Sequence, residues 1–320
     1  MRVLFLGTPR FAAIPLERLA RDGRFTLVGI VTQPDRPVGR TAAPQPPPVK
    51  ERAAELGLQV PVLQPETLRD PQVVAELAAL RPDVAVVAAY GEILRRDVLA
   101  IPPLGYLNIH PSLLPLYRGP APVAAAILNG DTETGVTVMR LEAKMDAGPV
   151  LAQRRVPLPP DARAGALTDE LFALGAELLV EVLPAYADGS LVPQPQDHER
   201  ATYTGLLKKE DGRIDWSAPA AHIERMTRAY DPWPGAYTSW RGQMLKIIAA
   251  RCIAAGDAPP EAAPGTLLDG PAGPLVVTGD GLLELVTVQP AGRRPMDARA
   301  WRQGLRDIAG ARLGEPAADG

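Results

Sequence analysis

A chain of 320 residues with one cysteine, three histidines and only 5% aromatic residues leaves several kinds of protein out of consideration. The single cysteine, Cys252, excludes an internal disulfide framework and fits a reducing compartment. Its expected place is as a small hydrophobe in the core. No two of His110, His198 and His222 lie close together, so the clustered nitrogen and sulfur ligands of a zinc site are missing and no metal is expected. The opening MRVLFLG carries one charge and a run too short for a signal-peptide core or a membrane span, which points to a cytoplasmic protein. Charge of one sign is not in excess either. Lys plus Arg number 34 against 37 Asp plus Glu, a net charge of −3, so any contact with a polyanion has to come from a local patch. Nucleotide signatures are absent too: the first turn, GTPRFA, has one glycine where a dinucleotide fingerprint needs three, and neither GxxxxGK[ST] nor GxSxG occurs. These gaps argue against a hydride-transfer enzyme, a nucleotide hydrolase and an α/β-hydrolase.

What is present is a globular composition, 46% hydrophobic and 22% charged, with 36 prolines and 29 glycines gathered between periodic segments as rigid loops. The runs at 2–7, 26–33, 83–91 and 106–110 are almost continuously apolar, as parallel strands buried on both faces require. Helical patterns lie between them at 10–21, 49–57, 71–80 and 91–99. This βαβα order predicts an α/β fold: a Rossmann-like open, mostly parallel sheet with helices on both faces and ligands at the carboxyl ends of its strands. Residues 135–142 and 149–158 alternate and should extend the sheet as an antiparallel pair. A helix over 164–188, with Leu167, Leu171, Leu174, Leu178, Leu179 and Leu183 near helical spacing, should pack across it. The polar, proline-bearing stretch 189–206 reads as a linker. Beyond it, 207–320 carries a helix at 220–230, several short strands and a final helix at 296–306, which predicts a small, OB-like β-barrel domain. Trp216 and Trp233 are expected to be packing residues.

Residues 107–115 read LNIHPSLLP. Asn108 and His110 are two apart on one strand, so both side chains face the same way at the strand's carboxyl end, where an open α/β sheet binds ligands. An amide donor and an imidazole aimed into that crevice suit the stabilisation of a developing oxyanion. Pro111 and Pro115 pre-set much of the following loop. In KMDAGPVL, Asp146 occupies a turn between the two predicted antiparallel strands, where it can orient the imidazole. From the spacing alone, a histidine satisfied by loop backbone is an equally good description.

The run LNIHPSLLPLYRGPAPVAAAILNGDTETGVTVMRLEAKMDAGPVL resembles the core of the formyltransferases that use 10-formyltetrahydrofolate, with asparagine, histidine, SLLP and the downstream aspartate in order. FLGTPRFAAIPLERL, VTQPDRPVGR, RIDW, DPWPGAY and VQPAGRRPM are similar to the members of that family that act on methionyl-tRNA, so the resemblance spans nearly the whole chain. It implies a catalytic trio of Asn108, His110 and Asp146. It also implies a folate site at Ser112, Leu113, Leu114 and Pro115, walled by Tyr90 and Gly91. The implied acceptor is the methionine of initiator methionyl-tRNA, met by a monomeric protein without membrane attachment. The loop after the second strand maps to DRPVGRTAAPQPPPVK, placing Arg36 and Arg40 against tRNA; TAAPQPPP has no cation, so this loop should contribute a weak salt dependence. Lys208, Lys209, Arg293 and Arg294 are further tRNA candidates, with Arg299, Arg302 and Arg306 either part of that patch or a solvated helix face. Rival readings are a relative acting on an amino sugar or a purine precursor, a hydrolase of the same folate, and a non-catalytic RNA-binding protein that kept the fold.

Overall fold

A computed structural model of the chain describes residues 1–37, 43–253, 262–305 and 311–314. They form two compact units. One comprises Met1–Pro122, Glu133–Pro157 and Leu167–Gly205, the other Val123–Thr132, Leu158–Ala166 and Leu206–Gly320.

In chain order the first half runs β1 (Arg2–Gly7), α1 (Ala13–Ala20), β2 (Thr26–Val31), β3 (Arg36–Pro37), β4 (Pro44–Gln45), α2 (Pro48–Glu55), β5 (Val62–Leu63), α3 (Pro71–Ala79), β6 (Val84–Ala88), α4 (Arg96–Leu99), β7 (Tyr106–His110), α5 (Pro122–Asn129), β8 (Glu133–Arg140), β9 (Val150–Pro157) and α6 (Ala164–Ala187). The first unit is built on a seven-stranded sheet ordered β5-β2-β1-β6-β7-β8-β9. The pairs from β5 to β7 are parallel, and β8 and β9 add to β7 antiparallel, as the alternation of 135–142 and 149–158 predicts. The continuous apolar runs follow from burial on both faces. On one face Val3, Phe5, Ile30, Val86, Leu107 and Ile109 pack with Leu16 and Leu19 of α1, Val49 of α2, and Phe172, Leu179 and Leu183 of α6. On the other, Leu4, Leu6, Val31, Ala85, Val87 and Tyr106 pack with Leu77 of α3 and Val98 of α4.

Two expectations about elements need correction. Residues 91–99 are not one helix, since only Arg96–Leu99 is helical. Leu94 and Val98 are buried four apart, which imitates a helical stripe, but Gly91 has a φ of 95° and the Glu92 carboxylate accepts from the backbone N–H of Leu68 at 3.0 Å. The backbone therefore turns before it coils. Helix α5, in turn, is hidden inside the loop-like sequence around the site, although Pro122 starts it and Gly130, with a φ of 72°, follows it.

Helix α6 holds β7 from behind. A Cβ on Gly175 would lie 2.4 Å from Cγ2 of Ile109 and 2.8 Å from Cγ2 of Val136. The helix thus rides directly on the strand whose opposite face carries Asn108 and His110, and Gly175 permits that approach.

The second unit continues with α7 (Ala220–Ala229), β10 (Tyr237–Trp240), β11 (Gln243–Ile253), β12 (Leu267–Asp269), β13 (Pro274–Val277), β14 (Leu282–Pro290), β15 (Met296–Asp297) and α8 (Ala298–Gln303). Its antiparallel sheet runs β10-β11-β14-β13-β12, with β15 on β14. Residues 311–314 tie the two edges. Leu267 N–H donates to Ala311 O and Leu313 N–H to Gly265 O beside β12, while Gly314 N–H donates to Ser239 O on β10. The sheet curls toward closure through this segment, as a small barrel does. Trp216 is buried, with its indole N–H on Thr238 Oγ1 at 3.1 Å, whereas Trp233 is 55% exposed and does not pack as expected. Cys252 is also exposed, on the outward side of β11, where the inward positions fall to Leu245 and Ile247.

Candidate active site

Strand β7 delivers Asn108 and His110 to the carboxyl edge of the sheet. Asn108 pairs in register with Val87 and Met139, and His110 with Thr137. The Asn108 side chain is half-buried and makes no hydrogen bond among the described residues, so its amide is available to a ligand. His110 is only 4% exposed. Its Nε2 lies 2.9 Å from Tyr117 O; a carbonyl can only accept, so Nε2 carries the hydrogen. Nδ1 then faces Oδ2 of Asp146 across 3.8 Å.

That separation is beyond hydrogen-bond reach. The hydrogen bond that fixes the ring is the one to the Tyr117 carbonyl, while Asp146 faces Nδ1 at ion-pair distance. The Asp146 carboxylate is held by the backbone N–H of Gly119, at 2.8 Å from Oδ2. Asp146 has a φ of 46°, a left-handed conformation that aspartate tolerates better than most residues. Gly119 has a φ of 106°, and a Cβ there would sit 2.5 Å from Thr204 O, so both backbone conformation and space demand glycine.

The SLLP segment is fastened from beneath. Thr137, fully buried on β8, donates its hydroxyl to Ser112 O at 2.6 Å and accepts from Leu114 N–H at 3.2 Å and Gln153 Nε2 at 3.0 Å. Gln153 also donates to Leu114 O at 2.7 Å, and Ser112 Oγ to Leu116 O. Ser112 and Leu114 are therefore buried and locked, and Leu113 and Pro115, alternating with them, are partly exposed. Tyr90, at the end of the β6 run, is buried with no partner for its hydroxyl among the described residues, and burial pushes that hydroxyl well above the usual phenol range. Its carbonyl accepts from Thr8 Oγ1 at 3.0 Å, while Gly91 beside it turns the chain.

Two polar residues to which neither spacing nor the resemblance gave a role complete the centre. Arg118, 2% exposed, donates to Gln196 Oε1, and Gln196 donates to the carbonyls of Asp146 at 2.8 Å and Gly148 at 2.7 Å. The stretch expected to be a linker hence returns to the site. Thr202 Oγ1 accepts from Tyr117 N–H, and Thr204 N–H donates to Arg118 O. Arg118 and Gln196 lie 78 residues apart, so no local pattern could pair them. Thr137 did leave a signal, as the polar interruption in GVTVM.

The candidate tRNA residues fall in both units. Arg36, at the base of the two-residue ribbon β3–β4, is exposed and sits 3.4 Å from Glu66. Arg40 lies outside the described residues. The ends of that loop are tied by Asp35, which accepts from Lys50 Nζ at 2.9 Å and Gln64 Nε2 at 2.6 Å; these bonds lower its pKa. Lys208, Lys209, Arg293, Arg294 and Arg299 are exposed. Arg302 is paired with Asp269 at 2.7 Å and is structural, while Arg306 lies outside the described residues. Trp301 is buried edge-on against Trp240, with ring centroids 5.7 Å apart. No group of three metal-ligating side chains and no helix long and apolar enough to cross a membrane occurs among the described residues.

Comparison with known proteins gives the family of the chain. Residues 1–183 match the formyl transferase family and residues 206–306 the formyl transferase C-terminal domain. The chain is 68% identical over 318 residues to the methionyl-tRNA formyltransferase of Roseiflexus sp. (strain RS-1), covering 99% of this chain and 97% of the relative. To the methionyl-tRNA formyltransferase of Chloroflexus aurantiacus (strain J-10-fl) it is 64% identical over 317 residues, covering 98% and 100%. In fold it is similar to HypX from Aquifex aeolicus in complex with tetrahydrofolic acid, at a TM-score of 0.60 and 22% identity, covering 97% of this chain and 48% of that one.

Proposed function

Because this chain belongs to the methionyl-tRNA formyltransferases, we propose that Asn108, His110 and Asp146 move the formyl group of 10-formyltetrahydrofolate onto the α-amino group of methionine on initiator methionyl-tRNA. The observation that carries this reading is the convergence of an unengaged amide, an imidazole and a carboxylate at the carboxyl edge of the sheet.

The amine nitrogen attacks the formyl carbon, and negative charge grows on the formyl oxygen. The Asn108 amide donates to that oxygen, and so does Nδ1 of His110 when that nitrogen carries a proton, since Nε2 is committed to Tyr117. Donors set in place before reaction are worth about 3–4 kcal/mol each when one is removed. Asp146 accepts the proton the amine loses, directly or through water. As the tetrahedral species collapses, the bond from the formyl carbon to the folate nitrogen breaks, and that nitrogen takes up a proton. Formyl-methionyl-tRNA and tetrahydrofolate leave.

The folate lies along Ser112, Leu113, Leu114 and Pro115, with Tyr90 and Gly91 as its wall. The buried Tyr90 hydroxyl, lacking a partner, is a polar group that a ligand can satisfy. Arg36, Arg40, Lys208, Lys209, Arg293 and Arg294 contact tRNA phosphates. Residues 1–188 form the catalytic domain, 189–206 a connection that first returns to the site, and 207–320 the tRNA-contacting domain of a cytoplasmic monomer.

The test is formylation of initiator and elongator methionyl-tRNA side by side, with wild type and His110→Ala. Formylation of the initiator with wild type, sharply lower turnover with the variant and an unchanged fold are expected. A protein that binds the tRNA but never formylates it would instead be the RNA-binding relative.

A further inference from the structure

Arg118 is a guanidinium at 2% exposure with no carboxylate in ion-pair reach among the described residues. Buried arginines are ordinarily matched by a carboxylate, because a charge stripped of water and left with neutral partners is costly. Every partner here is neutral: Gln196 Oε1 at 2.7 Å, His198 Nδ1 at 2.8 Å and Tyr203 OH at 3.2 Å.

The position of the residue explains why the arrangement persists. Its N-terminal neighbour, Tyr117, supplies the carbonyl that orients His110, and its C-terminal neighbour, Gly119, supplies the N–H that holds the Asp146 carboxylate. Its own side chain reaches Gln196, whose amide N–H groups end on the carbonyls of Asp146 and Gly148. The path from His110 through 117–119 to Asp146 is thus closed a second time through Arg118 and Gln196. Gln196 is 8% exposed, so both ends of its amide work in a dry setting. A glutamate at 196 would serve Arg118 better, but a carboxylate has no hydrogen to give two carbonyls. Glutamine serves the guanidinium and the aspartate turn at once.

We propose that Arg118 and Gln196 are positioning residues that set the spacing of His110 and Asp146 for formyl transfer. The proposal rests on the reading that those two residues act on the reacting atoms. A displacement of about 1 Å at a reacting centre can cost a hundredfold in rate, so a brace of this kind should register in turnover more than in binding.

The test uses the full chain with Gln196→Glu, measuring kcat, both KM values and Tm, with His110→Ala in parallel. Gln196→Glu gives Arg118 a charged partner while removing the donors to Asp146 O and Gly148 O. Expected are a folded protein with Tm lowered by no more than a few degrees, KM values within about threefold of wild type, and kcat lower by about tenfold or more. A purely structural role predicts wild-type kcat, and that result overturns the proposal; so does a loss confined to either KM, which would make Gln196 a substrate contact. Should Gln196→Glu fail to fold, Arg118→Lys keeps the charge without the fork and carries the same expectation, with unchanged kcat again overturning it. Retention of activity by His110→Ala would defeat the site assignment itself, a result separable from either outcome at Gln196.

Discussion

Nδ1 of His110 and Oδ2 of Asp146 face each other at 3.8 Å without a hydrogen bond, and residues 117–119 hold both. The carboxylate is therefore free to take a proton from something between them. Asp146→Asn keeps an oxygen for the Gly119 N–H but removes the base. Turnover should fall by about a hundredfold or more, with Tm nearly unchanged. Steady-state kinetics with saturating tRNA decide this, and a loss of less than about tenfold would remove Asp146 from the proton path.

Thr137→Val preserves shape while deleting the hydroxyl that serves Ser112 O, Leu114 N–H and Gln153. Buried groups left unsatisfied cost about 1–3 kcal/mol. Because they belong to the folate-lining segment, KM for the folate should rise several-fold while KM for tRNA stays put. Equal effects on the two substrates would show that the network merely supports the fold.

The Arg24 and Arg18 guanidiniums beside Asp22 hold its carboxyl well below the usual carboxylate range. A depressed folded-state pKa contributes stability that is fully present above the unfolded value, near 3.8, and is lost as pH falls through the folded one. Asp22→Asn should lower Tm at pH 7 by about 2–4 °C, the shift expected for roughly 1 kcal/mol in a domain of this size. Melts at decreasing pH should converge with wild type only below pH 3.8. A gap that stays constant into that range would show that the carboxylate's charge is not the cause.

Lys208 and Lys209 are exposed cations without an acidic partner among the described residues. Replacing both with alanine should weaken tRNA binding and reduce the slope of log K against log salt by about 1 for each phosphate that a lysine neutralises. Folate binding should not move. A salt slope identical to wild type would place the tRNA elsewhere.

Much of the fold is legible because burial on both faces writes β1, β2, β6 and β7 as unbroken apolar runs. Asn108 and His110 are legible because strand geometry alone puts residues two apart on one face. Residues 91–99 mislead because Leu94 and Val98 are buried at helical spacing in a chain that turns at Gly91. Cys252 misleads because composition cannot say which side of β11 faces out. Arg118 and Gln196 are beyond sequence reasoning for a simpler reason: their bond joins positions 78 residues apart, and nothing in either neighbourhood announces the other.

That distance also orders events during synthesis. A ribosome that has released Asn108, His110, Arg118 and Asp146 has delivered every group assigned to the chemistry, yet Gln196, Thr202 and Thr204 are still to come. Until they emerge, the nascent chain holds the reactive side chains with Tyr117, Arg118 and the aspartate turn only partly secured. Competence for formyl transfer should therefore appear late in elongation, and abruptly, when the returning strap seats.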